Sequence, residues 1–161
     1  MNHDNEPGRI IDKLGAAILA AAADGILLAD RDGIIRFWNP GAVRIFGFSA
    51  EEAIGQSLDL IIPNGLRARH TEGYRRVMQT GETRYGSGDL LAVPALTKDG
   101  SQISVEFTIV PMSAAGSRPI GMAAILRDVT SRFNEMRTLR RRVTELEKSA
   151  MTAVRVDEAG Q

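Results

Sequence analysis

Apolar residues recur at three- and four-residue spacing near the start and near the end of this chain. Between those stretches, short alternating runs are broken by Asp-Gly, Asn-Pro and Pro-Asn-Gly steps. Residues 1–8 (MNHDNEPG) are polar and read as a disordered N-terminus. From Arg9 to Ala23, Ile10, Ile11, Leu14, Ala17, Ile18 and Ala21 line one side of a 3.6-residue repeat, which predicts a helix over 9–23. Ile26 to Asp30 and Ile34 to Trp38 flank Arg31-Asp32-Gly33 and predict a hairpin.

Helix signals come next. Asn39-Pro40 supplies a capping side chain and a proline suited to a first helical position, so a short helix should run to Gly47. Ser49-Ala50-Glu51-Glu52 is a capping box opening another, closed by Gly55. Pro63-Asn64-Gly65 opens a longer helix from Leu66 to Thr80, ended by Gly81. Arg84 to Thr97 reads as extended, and Lys98-Asp99-Gly100 joins it to a half-buried strand in which Ile103, Val105, Phe107 and Ile109 alternate with polar residues. Ile120 to Leu126 is almost wholly apolar, the pattern of a central strand. The sum is an α+β domain with an antiparallel sheet and helices on one face. A charged amphipathic helix follows, with Phe133, Met136, Leu139, Val143, Leu146 and Ala150 stepping by three or four. It would pair with a second helix or fold back on its own sheet.

Bulk composition narrows the function. The 161 residues suffice for one domain with a real core. Twenty lysines and arginines match 20 acidic residues, so no net field draws in nucleic acid or an anionic membrane. Cysteine is absent, which removes disulfides and thiolate chemistry. The apolar stretch Leu14 to Leu28 is interrupted at Asp24-Gly25, too short to span a bilayer and without a basic leader, so a cytoplasmic location is expected. Two histidines without zinc-hydrolase spacing, no nucleophile elbow and no phosphate loop argue against an enzyme.

Asp24-Gly25-Ile26, Asp32-Gly33-Ile34-Ile35, Asn39-Pro40, Phe46-Gly47-Phe48 with Glu51-Glu52, Ile54-Gly55, Lys98-Asp99-Gly100 and Arg127-Asp128-Val129-Thr130 together resemble the PAS domain family. The resemblance spans about residues 16–130. It implies a five-stranded antiparallel sheet with short helices on one face, enclosing a pocket. The implied layout is a disordered start (1–8), an N-terminal flanking helix (9–23), a sensor domain (24–130), a C-terminal dimerisation or signalling helix (131–151) and a disordered tail (152–161).

Leu60-Ile61-Ile62-Pro63, Leu66-Arg67-Ala68-Arg69-His70, Tyr74 and Thr80-Gly81-Glu82 with Arg84 are similar to the haem-binding subgroup of that family, the oxygen and gas sensors. At about 100° per residue, Leu66, His70, Tyr74 and Val77 fall within roughly an 80° arc, while Arg69, Glu72 and Arg75 point away. A histidine on such a stripe must find a partner. A core hydrogen bond is one answer; a metal is another. The resemblance implies that His70 is the axial ligand of haem b, with Arg76 and Arg84 meeting its propionates through their forked donors. Where oxygen sensors place an arginine or methionine, this chain has Leu90 or Leu91, and Phe107 and Ile109 add further apolar wall. That departure disfavours specific O2 sensing relative to CO, NO or a redox role. Met122 is a sixth-ligand candidate if it points inward, and Trp38 with Tyr74 could stack on a flat ligand or simply pack. A flavin photosensor would need a cysteine, and a phosphoacceptor helix a histidine after His70; neither is present.

The expected function is therefore a haem-binding PAS sensory domain that detects a diatomic gas or redox state. It would signal through a homodimer built on its flanking helices, or to a separate partner protein. The alternative is a PAS interaction module without haem.

Overall fold

In the computed structural model the described residues are 7–82, 91–113 and 118–159. Helix α1 (Pro7–Ala21) precedes strands β1 (Gly25–Asp30) and β2 (Ile35–Trp38). Short helices α2 (Pro40–Phe46) and α3 (Ala50–Ala53) and a 3-10 turn (Leu58–Leu60) lead into α4 (Asn64–Thr80). Strands β3 (Leu91–Leu96), β4 (Gln102–Met112) and β5 (Gly121–Asp128) follow, and then α5 (Thr130–Ala159). The strands form one antiparallel sheet in the order β2-β1-β5-β4-β3, so the first strand lies beside the last. The chain divides into two compact units, up to Asp128 and from Val129 onward.

Local chemistry explains each boundary. The Asp30 carboxylate accepts from the N–H groups of Asp32 and Ile34 at 3.0 and 3.1 Å, and Gly33 takes the positive φ (77°) that the hairpin turn requires. Asn39 caps α2, and the Ser49–Glu52 capping box opens α3, each as the sequence implies. Gly81 ends α4 in the left-handed region, its N–H on the Val77 carbonyl at 2.8 Å.

Several boundaries differ from expectation, among them the start of α4 at Asn64 rather than Leu66 and of β2 at Ile35 rather than Ile34. Helix α1 occupies 7–21 rather than 9–23, because Pro7 is accommodated at its first position and the chain turns away at Ala22. Strand β5 reaches Asp128, since the eleven-residue β4 offers partners as far as Val105. Helix α5 runs past the expected end at residue 151 to Ala159; no glycine or proline intervenes before Gly160. Of the extended stretch 84–97, Leu91–Leu96 is strand, and Arg84 to Leu90 lie outside the described residues.

The core lies between one sheet face and the helices. Leu27, Ala29, Ile35, Val105, Met122 and Leu126 come from the strands, and Phe46, Ala53, Leu58, Ile61, Tyr74, Val77 and Met78 from the segments above them. Two contacts are too close for any side chain. A Cβ on Gly41 would come within 2.0 Å of the Asp24 carbonyl oxygen, and one on Gly121 within 2.4 Å of the Ala29 carbonyl oxygen. Those glycines let α2 sit against the start of β1 and let β5 sit against its end.

Candidate functional site

Helix α4 presents the candidate site. No side chain caps its N-terminus; Arg67 reaches back instead, donating to the carbonyls of Ile62 (3.1 Å) and Asp59 (2.9 Å) and fixing the 3-10 turn to the helix. Tyr74, Val77 and Met78 are buried, Leu66 and His70 half-buried, and Arg69, Glu72 and Arg75 exposed. The arc read from the sequence is the one that faces the core.

The His70 ring packs against Tyr74, centroids 5.9 Å apart and planes 37° apart. Burial pushes its pKa below the ordinary 6.5, opposed by the negative charge of Asp59, so the neutral imidazole is favoured. Among the described residues, no hydrogen bond to this imidazole is found. No buried side-chain nitrogen or oxygen lacks a partner among the described residues, so the ring nitrogens of His70 keep access to solvent.

Tyr74 touches His70 with its ring while its hydroxyl serves the sheet, lying 2.6 Å from the Asp30 carbonyl and 3.1 Å from that of Ala29. Burial raises its pKa, and the charges of Asp30 and Asp32 push the same way. Tyr74 therefore pins α4 to the end of β1. Asp30 itself is held low: burial would raise it, but the Arg36 guanidinium and the N–H groups of Ile34 and Asp32 outweigh that.

The apolar wall is only partly visible. Phe107 and Ile109 are half-buried against the core, and Leu91 pairs with Phe107 in register. Val93 pairs with fully buried Val105 yet is 38% exposed, so the core-side face opens at β3. Arg76 is exposed, and neither an ion pair nor a side-chain hydrogen bond is found for it among the described residues. Arg84 and Leu90 lie outside those residues. Met122 is buried in the core cluster on the inner face. Trp38 stacks on Phe46 (5.3 Å, 42°) and donates to the Phe48 carbonyl at 3.2 Å; it is core packing, and its ring partner is Phe46 rather than Tyr74.

Two features escaped the sequence reading. Arg127 forks onto Asp24 through Nε (2.9 Å) and Nη2 (2.7 Å), and that hydrogen-bonded guanidinium holds the Asp24 carboxyl below its usual range. Buried Asn39 does more than cap: its side-chain oxygen accepts from Ile26 (2.7 Å) and Ala42 (2.8 Å), and its amide donates to the Asp24 carbonyl (3.1 Å). Both partners of the ion pair stand in motif strings, but nothing in local spacing couples residues 103 apart.

The architecture is an antiparallel sheet of order 2-1-5-4-3 with short helices and one longer helix packed on a single face. A family model described as "PAS fold" matches residues 19–133, and the chain belongs to that family. It is 33% identical over 84 residues to the oxygen sensor protein DosP of Escherichia coli, covering 52% of this chain and 10% of that protein. An uncharacterized protein of Azorhizobium caulinodans is 34% identical over 96 residues, covering 59% of this chain and 13% of its own length. The chain thus spans about a tenth of the length of these curated relatives. Among solved structures, a PAS domain from Colwellia psychrerythraea superposes with TM-score 0.65 at 26% identity, covering 75% of this chain and 98% of that one. A sensory box histidine kinase/response regulator from Burkholderia thailandensis gives 0.60 at 18% identity, with 84% and 98% coverage. Among this chain's described residues no helix is long and apolar enough to cross a membrane.

Proposed function

We propose that this PAS domain binds haem b through His70 and reports a diatomic gas or a change of redox state. The carrying observation is the His70 imidazole: half-buried on the apolar arc of α4, packed on the Tyr74 ring at 5.9 Å, and without a hydrogen-bond partner among the described residues. The similarity to an oxygen sensor across 84 residues supports the same reading. In it, His70 would hold the iron, Arg76 and Arg84 would meet the propionates, and Leu66, Tyr74, Leu90, Leu91, Phe107 and Ile109 would supply the apolar surround. When bound, the iron supplies a centre that takes up CO, NO or O2 and changes electronic state. The protein's own part is to keep the imidazole neutral, hold α4 to the sheet through Tyr74, and surround the group with apolar side chains. The work is recognition and relay in the cytoplasm rather than catalysis, through a homodimer on the flanking helices or a separate signalling protein.

A second reading has its own observation. Ile10, Ile11, Leu14 and Ile18 of α1 are 46%, 66%, 57% and 51% exposed, an apolar stripe suited to association without any cofactor. Titration with haemin separates the two. The first reading expects a saturable Soret band at one equivalent that shifts and weakens in His70→Ala, with circular dichroism showing that the variant is folded. No band, or a band indifferent to the substitution, leaves the interaction module.

A further inference from the structure

Helix α4 is held unevenly along its length. Its buried residues are Tyr74, Val77 and Met78, all in the C-terminal half; from Asn64 to Gly73 every residue is half-buried or exposed. That first half is also a weak helix in its own right. It opens on Asn64-Gly65, carries a second glycine at position 73, and has no side-chain cap and no acid in its first turn, where the dipole favours one. His70 lies in this half. Its imidazole makes no hydrogen bond among the described residues, so its placement is inherited from the backbone that carries it.

Two side chains, about one turn to either side of His70, fix that backbone. Four residues on, Tyr74 packs on the imidazole and ties the helix to the end of β1. Three residues back, Arg67 forks onto the carbonyls of Asp59 (2.9 Å) and Ile62 (3.1 Å) through Nη2 and Nε. Its acceptors belong to a segment that is itself well anchored. Leu58 and Ile61 are buried, the Leu58 N–H donates to the Gly33 carbonyl, and the Ile61 carbonyl accepts from Leu96 of β3 at 2.9 Å. Arg67 thus connects the unburied half of α4 to a fixed part of the fold. A planar guanidinium reaches both carbonyls at once, and an ammonium has no such fork.

We infer that Arg67 is a positioning residue for His70: by clamping the first turns of α4 to the segment 58–62 it sets where the imidazole stands, with Tyr74 as the second anchor. This rests on the reading of His70 as a ligand proposed above and adds what holds that ligand in place.

The full chain carrying Arg67→Gln is compared with its parent, first without haem. The sequence has two histidines, and the His70 ring signal in carbon–proton NMR is identified by its loss in His70→Phe. In the parent, the nearby Tyr74 ring should displace that signal from the free-imidazole value. Arg67→Gln should move it most of the way back. It should also raise amide exchange over 64–72 about tenfold, leaving 74–80 within about twofold of the parent. Arg67→Lys, which keeps one carbonyl contact, should raise exchange only about threefold. Asn39→Ser weakens the fold at the other end of β1 from Asp30 and should leave the His70 signal in place. A shift in that variant equal to the shift in Arg67→Gln reduces the effect to general stability and overturns the proposal. So does an unmoved His70 signal in folded Arg67→Gln. Haemin gives the second arm. Its capture by excess apomyoglobin should be about tenfold faster from Arg67→Gln than from the parent, and equal rates overturn the proposal. A parent that takes up no haemin removes the haem reading alone, and the His70 signal still decides what Arg67 does.

Discussion

Replacing Asn39 by alanine should cost this domain a large part of its stability. The residue is 1% exposed, and its carboxamide makes three hydrogen bonds, to the N–H groups of Ile26 and Ala42 and to the carbonyl of Asp24. Loss of the helix cap costs about 1 kcal/mol. The other two partners sit where β1, α2 and the Asp24 turn meet, and each loses its bond for about 1 to 1.5 kcal/mol. The expected total is roughly 3 to 4 kcal/mol, against an ordinary domain stability of about 5 to 15 kcal/mol. Urea unfolding followed by far-ultraviolet dichroism should place the midpoint roughly 1.5 to 2 M lower for a slope near 2 kcal/mol per M. Asn39→Ser, which keeps a capping oxygen but cannot span to both Ile26 and Asp24, should recover about 1 kcal/mol. An alanine variant within about 1 kcal/mol of the parent would refute the assignment of Asn39 as the tie between strand and helix.

Gly41→Ala drives a Cβ into the Asp24 carbonyl and should destabilise by about 3 kcal/mol or more. Gly73→Ala in α4, where nothing lies within 4 Å, should stabilise by roughly 0.5 to 1 kcal/mol in the same urea assay. His70 has a lowered pKa, so the unfolded chain takes up its proton first; stability is fully present above about 6.5 and falls as pH drops through the folded value. In haem-free protein, His70→Phe should shrink the loss of midpoint between pH 7.5 and pH 5; an unchanged loss would mean the ring is not desolvated. Tyr74 is shifted the other way, so its contribution holds up to about 10 and is lost above it. Tyr74→Phe should cost about 1 to 2 kcal/mol at pH 7 and much less at pH 11, measured by thermal melts at both values.

Residues whose structural meaning is local could be read directly from the sequence. Asn39-Pro40, the Ser49–Glu52 box and Gly81 each act within one helical turn, so their residue types nearly dictate their geometry. The arc of α4 was legible for the same reason: 3.6-residue periodicity places Leu66, His70, Tyr74 and Val77 together whatever lies above them. Register is another matter. That Leu91 opposes Phe107, that Val93 opposes Val105, or that Met122 points inward depends on pairing between distant segments, which periodicity within one strand cannot supply. The Tyr74 hydroxyl illustrates the same gap. Its position on α4 was evident, but its partners are carbonyls 44 and 45 residues away at the end of β1. Asp24 and Arg127 meet only because the first strand was placed beside the last.

That neighbouring placement has a consequence for how the domain can be joined to other chains. Gly25 pairs with Leu126, so the polypeptide enters β1 and leaves β5 at adjacent points at one end of the sheet, about 5 Å apart. The Asp24–Arg127 fork closes the gap like a staple across the mouth of a loop. A module tied off in this way can be spliced into a longer protein at almost any exposed turn, since its host need bridge hardly any distance. It also means that tension on either connection is felt first at the staple, before any strand is asked to slide.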